Sequence, residues 1–579
     1  MKKALAIILM LLMVISLVAC GPKKEGGEEK GKVAAFPWDE YDKLIKDIKT
    51  TQDMEARMKM MHAAEDKLMD TGAICPIYYY NDEYMAKEAL KGYYATLYGY
   101  KYFEKATNGD KDTIDLCIAS EPDYVDPALN SAVDGAVMAV NSFSGLYTYN
   151  ENLEIVPDCA EKVDISEDGK TYVFTLRDGL KWSDGSELNA KDFEYSWKRA
   201  ANPKIGADYR YMLDCIEGWP EDENGDVEKL EAKASEDGKT FTVKLKSVTS
   251  YFLDLCAFPT FFPVKKDAVE SAPGYLDESG NIKNPAAWTE NGNYVSNGPF
   301  KNTGWTHKQS ITFERNEHFH RAENVKIKKL AFMLSDDDTT IYSAYKAGNL
   351  DFIDSVPTDE VKVLLETKNP EFHVIDQLGT YFVCFNVKSD MFAGKTVEEA
   401  ANMRKGLAAA IDRQYIVDTV GQTGQKLANA FIPPGMYDGQ GKEFKVNSGA
   451  YKYPDEATAG YFSPAKDLDR ARELLTKAGY KFGEDGKLSA ETPLHVNYIT
   501  NKTSGHSKIA EIIYDDFAEL GIKMTISLMD WDTTLAERKA GNFDVARHGW
   551  VADFNDPINM LEMWSSTSGN NDAQFGRFE

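Results

Sequence analysis

Residues 160–197 read AEKVDISEDGKTYVFTLRDGLKWSDGSELNAKDFEYSW, and the rest of the chain is best read outward from them. Within this stretch Thr171 to Arg177 alternates polar and apolar residues and ends at Asp178-Gly179, a strand closed by a turn. Phe241 to Leu245 repeats the pattern before a loop of its own. Thr113 to Ala119 is another strand, followed by the turn-rich Glu121-Pro122-Asp123, and Ile74 to Tyr80 is a short β-prone run. Toward the C-terminus the apolar period lengthens. Thr339 to Ala347, Glu398 to Ile411, Lys466 to Ala478 and Ser507 to Leu520 read as helices, three of them stopped by Gly348, Gly479 and Gly521. Leu494 to Tyr498 and Lys523 to Leu528 flank the last of these as a βαβ unit, which implies a parallel pair with a right-handed crossover. Near the start, Asp39 to Met69 reads as one helix, or two broken near Thr50-Thr51. Leu44, Ile45, Ile48, Met54, Met58, Met61 and Leu68 share one side of it, with the methionines as core filling. Strands and helices are mixed throughout, so the fold class is α/β with a β-rich insertion around 150–250.

The first residues, Met1-Lys2-Lys3, are basic and lead into an apolar run from Ala4 to Ala19, a secretory signal too short for a spanning helix. Leu17-Val18-Ala19-Cys20-Gly21 resembles a bacterial lipobox, in which Cys20 is acylated and becomes the mature N-terminus. Several acyl chains make such an anchor lasting where one alone does not. From Pro22 to about Ala35 the chain is rich in Gly, Lys and Glu, as expected of a flexible tether. A formal charge of −27 argues against a nucleic-acid partner, because phosphate binding requires clustered Lys and Arg. Besides Cys20 there are cysteines at 75, 117, 159, 215, 256 and 384 with no CxxC pair; a Cys215 to Cys256 bridge stays open. No Gly-x-Ser-x-Gly, Walker loop, His-Glu-x-x-His or dinucleotide fingerprint occurs, so nothing asks for an enzyme, and no cofactor is expected. His318-x-His320 lies in a polar stretch without a third donor nearby and reads as a surface pair rather than a metal site.

The quoted stretch carries a resemblance. Ala160-Glu161-Lys162, Ser166 to Phe174, Leu176-Arg177, Lys181 to Gly185 and Ala190 to Trp197 together resemble the signature of the peptide- and nickel-binding extracellular solute-binding proteins, family 5. Further similar stretches are Ser296 to Phe300, Ala347 to Asp351, Phe385-Asn386 and Arg404 through Ala410-Ile411-Asp412-Arg413. The resemblance implies a two-lobed periplasmic-binding-protein-like fold with an extra β-rich subdomain and mixed sheets flanked by helices. One order is unusual. In oligopeptide-binding members the portion resembling Phe36 to Lys105 closes the chain, whereas here it precedes the segment from Thr113 that normally opens it. The sequence therefore looks circularly permuted, with 106–112 as the new joint and the small polar stretch Ser565 to Asn571 as a place to cut. The expected organisation is a signal at 1–19, a lipidated tether at 20–35, a permuted piece of the second lobe at 36–80, a first lobe at 81–330 containing the β-rich subdomain at about 151–240, and a second lobe at 331–579.

Trp550-Val551-Ala552-Asp553-Phe554-Asn555-Asp556-Pro557 resembles the family's motif for a peptide's α-ammonium. It implies Asp553 as the carboxylate partner, with a turn cap as the plainer alternative. Trp550 would wall the first side-chain pocket. Arg547 sits where a ligand carboxylate can be met bidentately, or where an ordinary ion pair can form. Gly549, Tyr80, Tyr381 and Asn386 complete the expected cleft. The implied function is capture of oligopeptides outside the membrane and delivery to ABC transporter permease subunits, by a monomer that a lipid on Cys20 holds at the cell membrane, facing the extracellular side or periplasm. The alternatives are a dipeptide or nickel-chelate binder of the same family, and a peptide-pheromone receptor or chaperone without a transport role.

Overall fold

The structure is a computed structural model that describes residues 32–578, apart from 119, 223, 291–292, 438–440, 447–448, 450 and 455–459. The signal, the lipobox at Cys20 and most of the tether lie outside the described residues. Among the described residues, no helix is long and apolar enough to cross a membrane.

Its backbone is an 11-stranded mixed sheet. One half runs Phe300–Thr306, Ser310–Arg315, Lys329–Met333, Thr113–Cys117, Phe352–Ile353; the other runs Val545–Val551, His495–Asn501, Lys523–Met529. Between them lie two long antiparallel strands, Ile74–Ala86 and Phe372–Phe385, in register from Ile74 opposite Cys384 to Met85 opposite Phe372. Together they join the halves, one strand bordering each. Met85 and Ala86 pair with Ile353 and Phe352, and the other end of Phe372–Phe385 pairs with Val545–Val551. The register slips between Pro76 and Tyr78 and again between Tyr79 and Asn81, irregularities that bend a strand and raise its twist.

The βαβ reading of the C-terminal region holds: His495–Asn501 and Lys523–Met529 pair in parallel, and the helix Ser504–Glu519 packs on both. The β-rich insertion is a separate four-stranded antiparallel sheet, Ala232–Ala234, Thr240–Lys244, Thr171–Leu176, Ala160–Ile165. Its alternation has a direct cause. Tyr172, Phe174 and Leu176 point inward, and Phe241 meets Trp197 edge-on, with ring centroids 4.9 Å apart. Trp197 belongs to the helix Ala190–Ala201, started by a capping box in which Asn189 and Asp192 satisfy each other's backbone N–H region.

Two expectations about organisation change. The first half of the sheet does not end at 330. Lys329–Met333 and Phe352–Ile353 both pair in parallel with Thr113–Cys117, and Ile341, Tyr342 and Tyr345 pack with Met85, Cys117 and Ile353. The passage between halves falls in the crossing strands, because only they hydrogen-bond to both sides. The stretch 565–571 is also no exposed loop: Ser568, Asn570 and Asn571 are buried. The six cysteines at 75, 117, 159, 215, 256 and 384 are free and buried, so Cys215 and Cys256 are not bridged. His320 faces Asp158 at 3.0 Å beside Arg321, an ion-pair cluster.

The two ends of the described chain lie against each other. The helices Asp39–Thr50 and Met54–Asp70 break at Thr51, and Asp53 caps the second by accepting from Glu55 and Ala56 N–H. Trp38 stacks on Phe575 at 4.3 Å and donates its indole N–H to the Trp564 carbonyl, while Tyr41 donates to the Leu561 carbonyl. Arg57 meets Asp556 bidentately at 2.9 and 2.8 Å in the interior. Removing one half of a buried pair strands the other charge, so Arg57→Ala is expected to destabilise the fold by about 3–5 kcal/mol. Urea denaturation followed by tryptophan fluorescence measures this, and a loss under about 1 kcal/mol would show that the pair does not hold the ends together.

Candidate functional site

Five strands end at one place. Ile118 and Ser120 follow Thr113–Cys117, Ser335 and Asp336 follow Lys329–Met333, Asp354 and Ser355 follow Phe352–Ile353, Thr503 and His506 follow His495–Asn501, and Trp531 follows Lys523–Met529. All line a single cleft of about 430 Å³ between the halves of the sheet. This is where α/β sheets place ligands, at the carboxyl ends of strands. The crossing strand contributes Tyr78 and Tyr80 to Glu83 to the same cleft, and the loop after Val545–Val551 contributes Asp553.

Asp553 is 6 % exposed. Its carboxylate accepts the Tyr209 hydroxyl at 3.0 Å and the Asn559 amide at 3.0 Å, and its own N–H donates to the side-chain amide oxygen of Asn559. Among the described residues no cation pairs with it. Burial therefore pushes the carboxyl up to about 7 despite those two donors. Asn559 also accepts the Trp550 indole N–H at 3.2 Å, so one fully buried amide holds both the acid and the aromatic wall.

Tyr80 lies in the cleft against two glycines. A Cβ on Gly549 would stand 2.0 Å from the Tyr80 hydroxyl oxygen, and one on Gly379 would stand 2.8 Å from its ring. The two glycines lie diagonally on paired strands, Gly379 opposite Val551 and Gly549 opposite Tyr381, and only glycine leaves room for the ring. Arg547 donates weakly to the Tyr80 hydroxyl at 3.4 Å and lies 5.4 Å from the ring centroids of Tyr381 and Trp531. Its Nε is buried without a hydrogen-bond acceptor.

Sequence-expected residues divide into three groups. Asp553, Trp550, Gly549, Arg547 and Tyr80 line the cleft together. Tyr381 is fully buried one layer behind, stacked between Tyr78 and His506. Asn386 is a correction: it lies outside this cleft, and its amide donates to the Gly541 and Phe543 carbonyls, tying the end of Phe372–Phe385 to the loop before Val545–Val551. A buried amide placed after a strand end serves orphan carbonyls before it serves a ligand. Sequence reasoning missed Tyr209, Asn559, His506, Asp134 and Asp572. Of these only Asn559 had a local signal, as the amide two residues past Pro557 at the start of the helix Ile558–Glu562.

The charges of the cleft are mostly matched. Asp82 pairs with Lys101 at 2.9 Å, Asp572 lies 3.3 Å from Arg538, and Lys539 pairs with Asp208 and more loosely with Asp123. Asp553, Glu83 and Asp134 have no opposite charge within ion-pair distance among the described residues, and neither has Arg547. A cleft lined by unmatched charges of both signs suits a ligand that carries both.

Residues 154–572 match the profile described as bacterial extracellular solute-binding proteins, family 5 Middle. The oligopeptide-binding protein OppA of Bacillus subtilis is 33 % identical over 478 residues, covering 81 % of this chain and 80 % of its own length. The dipeptide-binding protein DppE of the same organism is 32 % identical, with 81 % and 79 % covered. Among solved structures, OppA of Haemophilus influenzae in complex with RPPGFSPFR superposes with a TM-score of 0.70 at 26 % identity, covering 80 % of this chain and 85 % of that one. With the matched profile spanning most of its length, this chain belongs to the family 5 bacterial extracellular solute-binding proteins.

Proposed function

We propose that this chain captures oligopeptides outside the cytoplasmic membrane and delivers them to an ABC importer, held at the membrane by a lipid on Cys20. The observation that carries the peptide reading is Asp553: a buried carboxylate aimed at a cleft, steadied by Tyr209 and Asn559, with no resident cation. A peptide's α-ammonium supplies the missing charge, and Trp550 lies alongside to receive the first side chain. Arg547, with its unused buried Nε, suits a ligand carbonyl or carboxylate. The names of the B. subtilis relatives, oligopeptide- and dipeptide-binding, agree with this chemistry.

Asp553→Asn is expected to weaken binding of a free-amine peptide by about 2–5 kcal/mol, because it removes one partner of a desolvated charge pair. Isothermal titration with a peptide and its N-acetylated twin checks the assignment, which fails if wild type binds both equally well. The pH dependence has a definite sign. With burial raising the carboxyl to about 7, the empty cleft holds a proton below that pH, and the incoming ammonium must displace it. Affinity therefore falls by up to about tenfold per pH unit below 7, a limb that Asp553→Asn abolishes, and falls again above about 8 as the peptide's own ammonium loses its proton. Native mass spectrometry of the purified protein should release a ladder of peptides with free amino termini; a single metal chelate in their place would refute the peptide reading.

We also infer that the chain is circularly permuted. Two observations support this: the ends of the described chain pack together through Trp38, Phe575 and Ser566, and the unmatched share is about equal in this chain and in its relatives. Moving residues 36–105 behind the C-terminus should leave folding and peptide affinity within about twofold. Deleting them should abolish folding, since it removes a crossing strand; loss of folding in the reordered protein would reject the permutation.

A further inference from the structure

One carboxylate of the cleft remains without a task in peptide-terminus binding. Asp134 stands in the first turn of the helix Val133–Ser142, is 4 % exposed and lines the cleft. One of its oxygens accepts the Gly135 backbone N–H at 2.9 Å, while Oδ2 is buried with no hydrogen-bond partner. An unmet buried carboxylate oxygen is costly, and in native proteins it marks a place where a missing partner belongs.

The charges acting on Asp134 are of its own sign. Asp123 and Asp354 both push its carboxyl upward, adding to burial, and no cation offsets them to a comparable degree. The cations in reach are committed elsewhere. Lys539 serves Asp208, Asp123 and Ser131, and Lys101 serves Asp82. Glu83, also on the cleft wall, adds a further acid that burial raises to about 7.

The helix is rigidly placed. The Asn141 side chain donates to the Lys101 carbonyl at 2.7 Å and accepts the Phe103 N–H at 2.9 Å, fixing the helix to the strand Lys101–Tyr102. Tyr98 and Tyr100, just before that strand, line the cleft as well, and Tyr100 feels the charge of Asp553. Asp134 and Asp553 thus share one cleft but belong to separate settings: Asp553 has two polar donors and an aromatic wall, Asp134 has an unpartnered buried oxygen and acidic neighbours. Gly135 keeps this approach close, since a Cβ there would meet the Asn130 amide oxygen at 2.0 Å.

The geometry points to Asp134, backed by Asp354, as the acidic subsite that receives a lysine or arginine side chain of the bound peptide. This rests on the peptide reading of the cleft and adds to it a preference for basic residues at one position of the ligand. A lysine ammonium or arginine guanidinium donates to Oδ2 and replaces the absent counter-charge. An uncharged side chain of the same length leaves that oxygen unmet.

The test uses the full mature chain and calorimetric titration with a set of alanine-based peptides carrying lysine, norleucine or acetyl-lysine at each position in turn. At one position lysine should bind at least about tenfold more tightly than norleucine or acetyl-lysine, the effect expected of a hydrogen bond to a charged group. Asp134→Asn should erase that preference, bringing the lysine and norleucine peptides within about twofold of each other. Asp354→Asn, a second variant on a different segment, should reduce the preference if Asp134→Asn does not fold. Peptides that bind with no lysine preference at any position overturn the subsite and leave the peptide reading standing. A lysine preference that survives Asp134→Asn overturns it too, and a protein that binds none of the peptides overturns both.

Discussion

The antiparallel pair Ile74–Ala86 and Phe372–Phe385 is the constraint on which the cleft depends. These strands alone hydrogen-bond to both halves of the sheet, so the position of every strand end that reaches the ligand is measured from them. Their bulges at Pro76/Tyr78 and Tyr79/Asn81 turn the side chains of Tyr80 to Glu83 toward the cleft, and Gly379 and Gly549 clear the space that the Tyr80 ring takes. A two-stranded ribbon is also the natural place for the halves to swing. Its hydrogen bonds run perpendicular to the strands and survive a change in twist that a wide sheet would resist.

Among the mostly paired charges of the cleft beside the ribbon, the protein leaves a few unmatched, Asp553 above all. Desolvating a carboxylate costs several kcal/mol, and a fold that needed only stability would pair or replace such groups. Here Asp553 is kept between two neutral donors, which orient it without neutralising it. Many buried acids elsewhere are ion-paired, as Asp126 is by Arg199 with the Trp288 indole as a further donor. Glu65, remote from the cleft, is held like Asp553 by two neutral donors, the Ile432 N–H and the Tyr453 hydroxyl. What sets Asp553 apart is that its carboxylate lines the cleft, where a ligand can supply the missing charge.

Local pattern made much of the architecture legible. The break at Thr51, the alternation of Thr171–Leu176 and the parallel unit around Ser504–Glu519 all follow from turn chemistry and apolar period acting over a few residues. The boundary near 330 misled for a physical reason: Lys329–Met333 resembles any half-buried strand, and only its pairing with Thr113–Cys117, far off in sequence, assigns it to a side. The site divided in the same way. Asp553 and Trp550 share a contiguous motif, but Tyr209 reaches Asp553 across 344 positions and Asp134 reaches the cleft through the docking of its helix. Asn386 shows the converse error. Its neighbourhood in sequence resembles a cleft residue, while its hydrogen bonds serve the backbone.

The packing of the chain ends has a further thermodynamic consequence. Arg57 and Asp556 meet across 499 positions, whereas an order in which the N-terminal helices followed the C-terminus would separate them by only a few tens. Loop-closure entropy grows with the logarithm of length, at about 0.6 kcal/mol per doubling, so the longer closure costs roughly 2 kcal/mol at that contact. The bidentate pair, the Trp38 and Phe575 stack and the buried Tyr41 together exceed that amount, which is why the interface can persist in either order. The ribbon itself is a long-range contact in either order, because Ile74 and Cys384 stand hundreds of residues apart in both, so the strands that define the cleft close through distant contacts whichever end carries the helices.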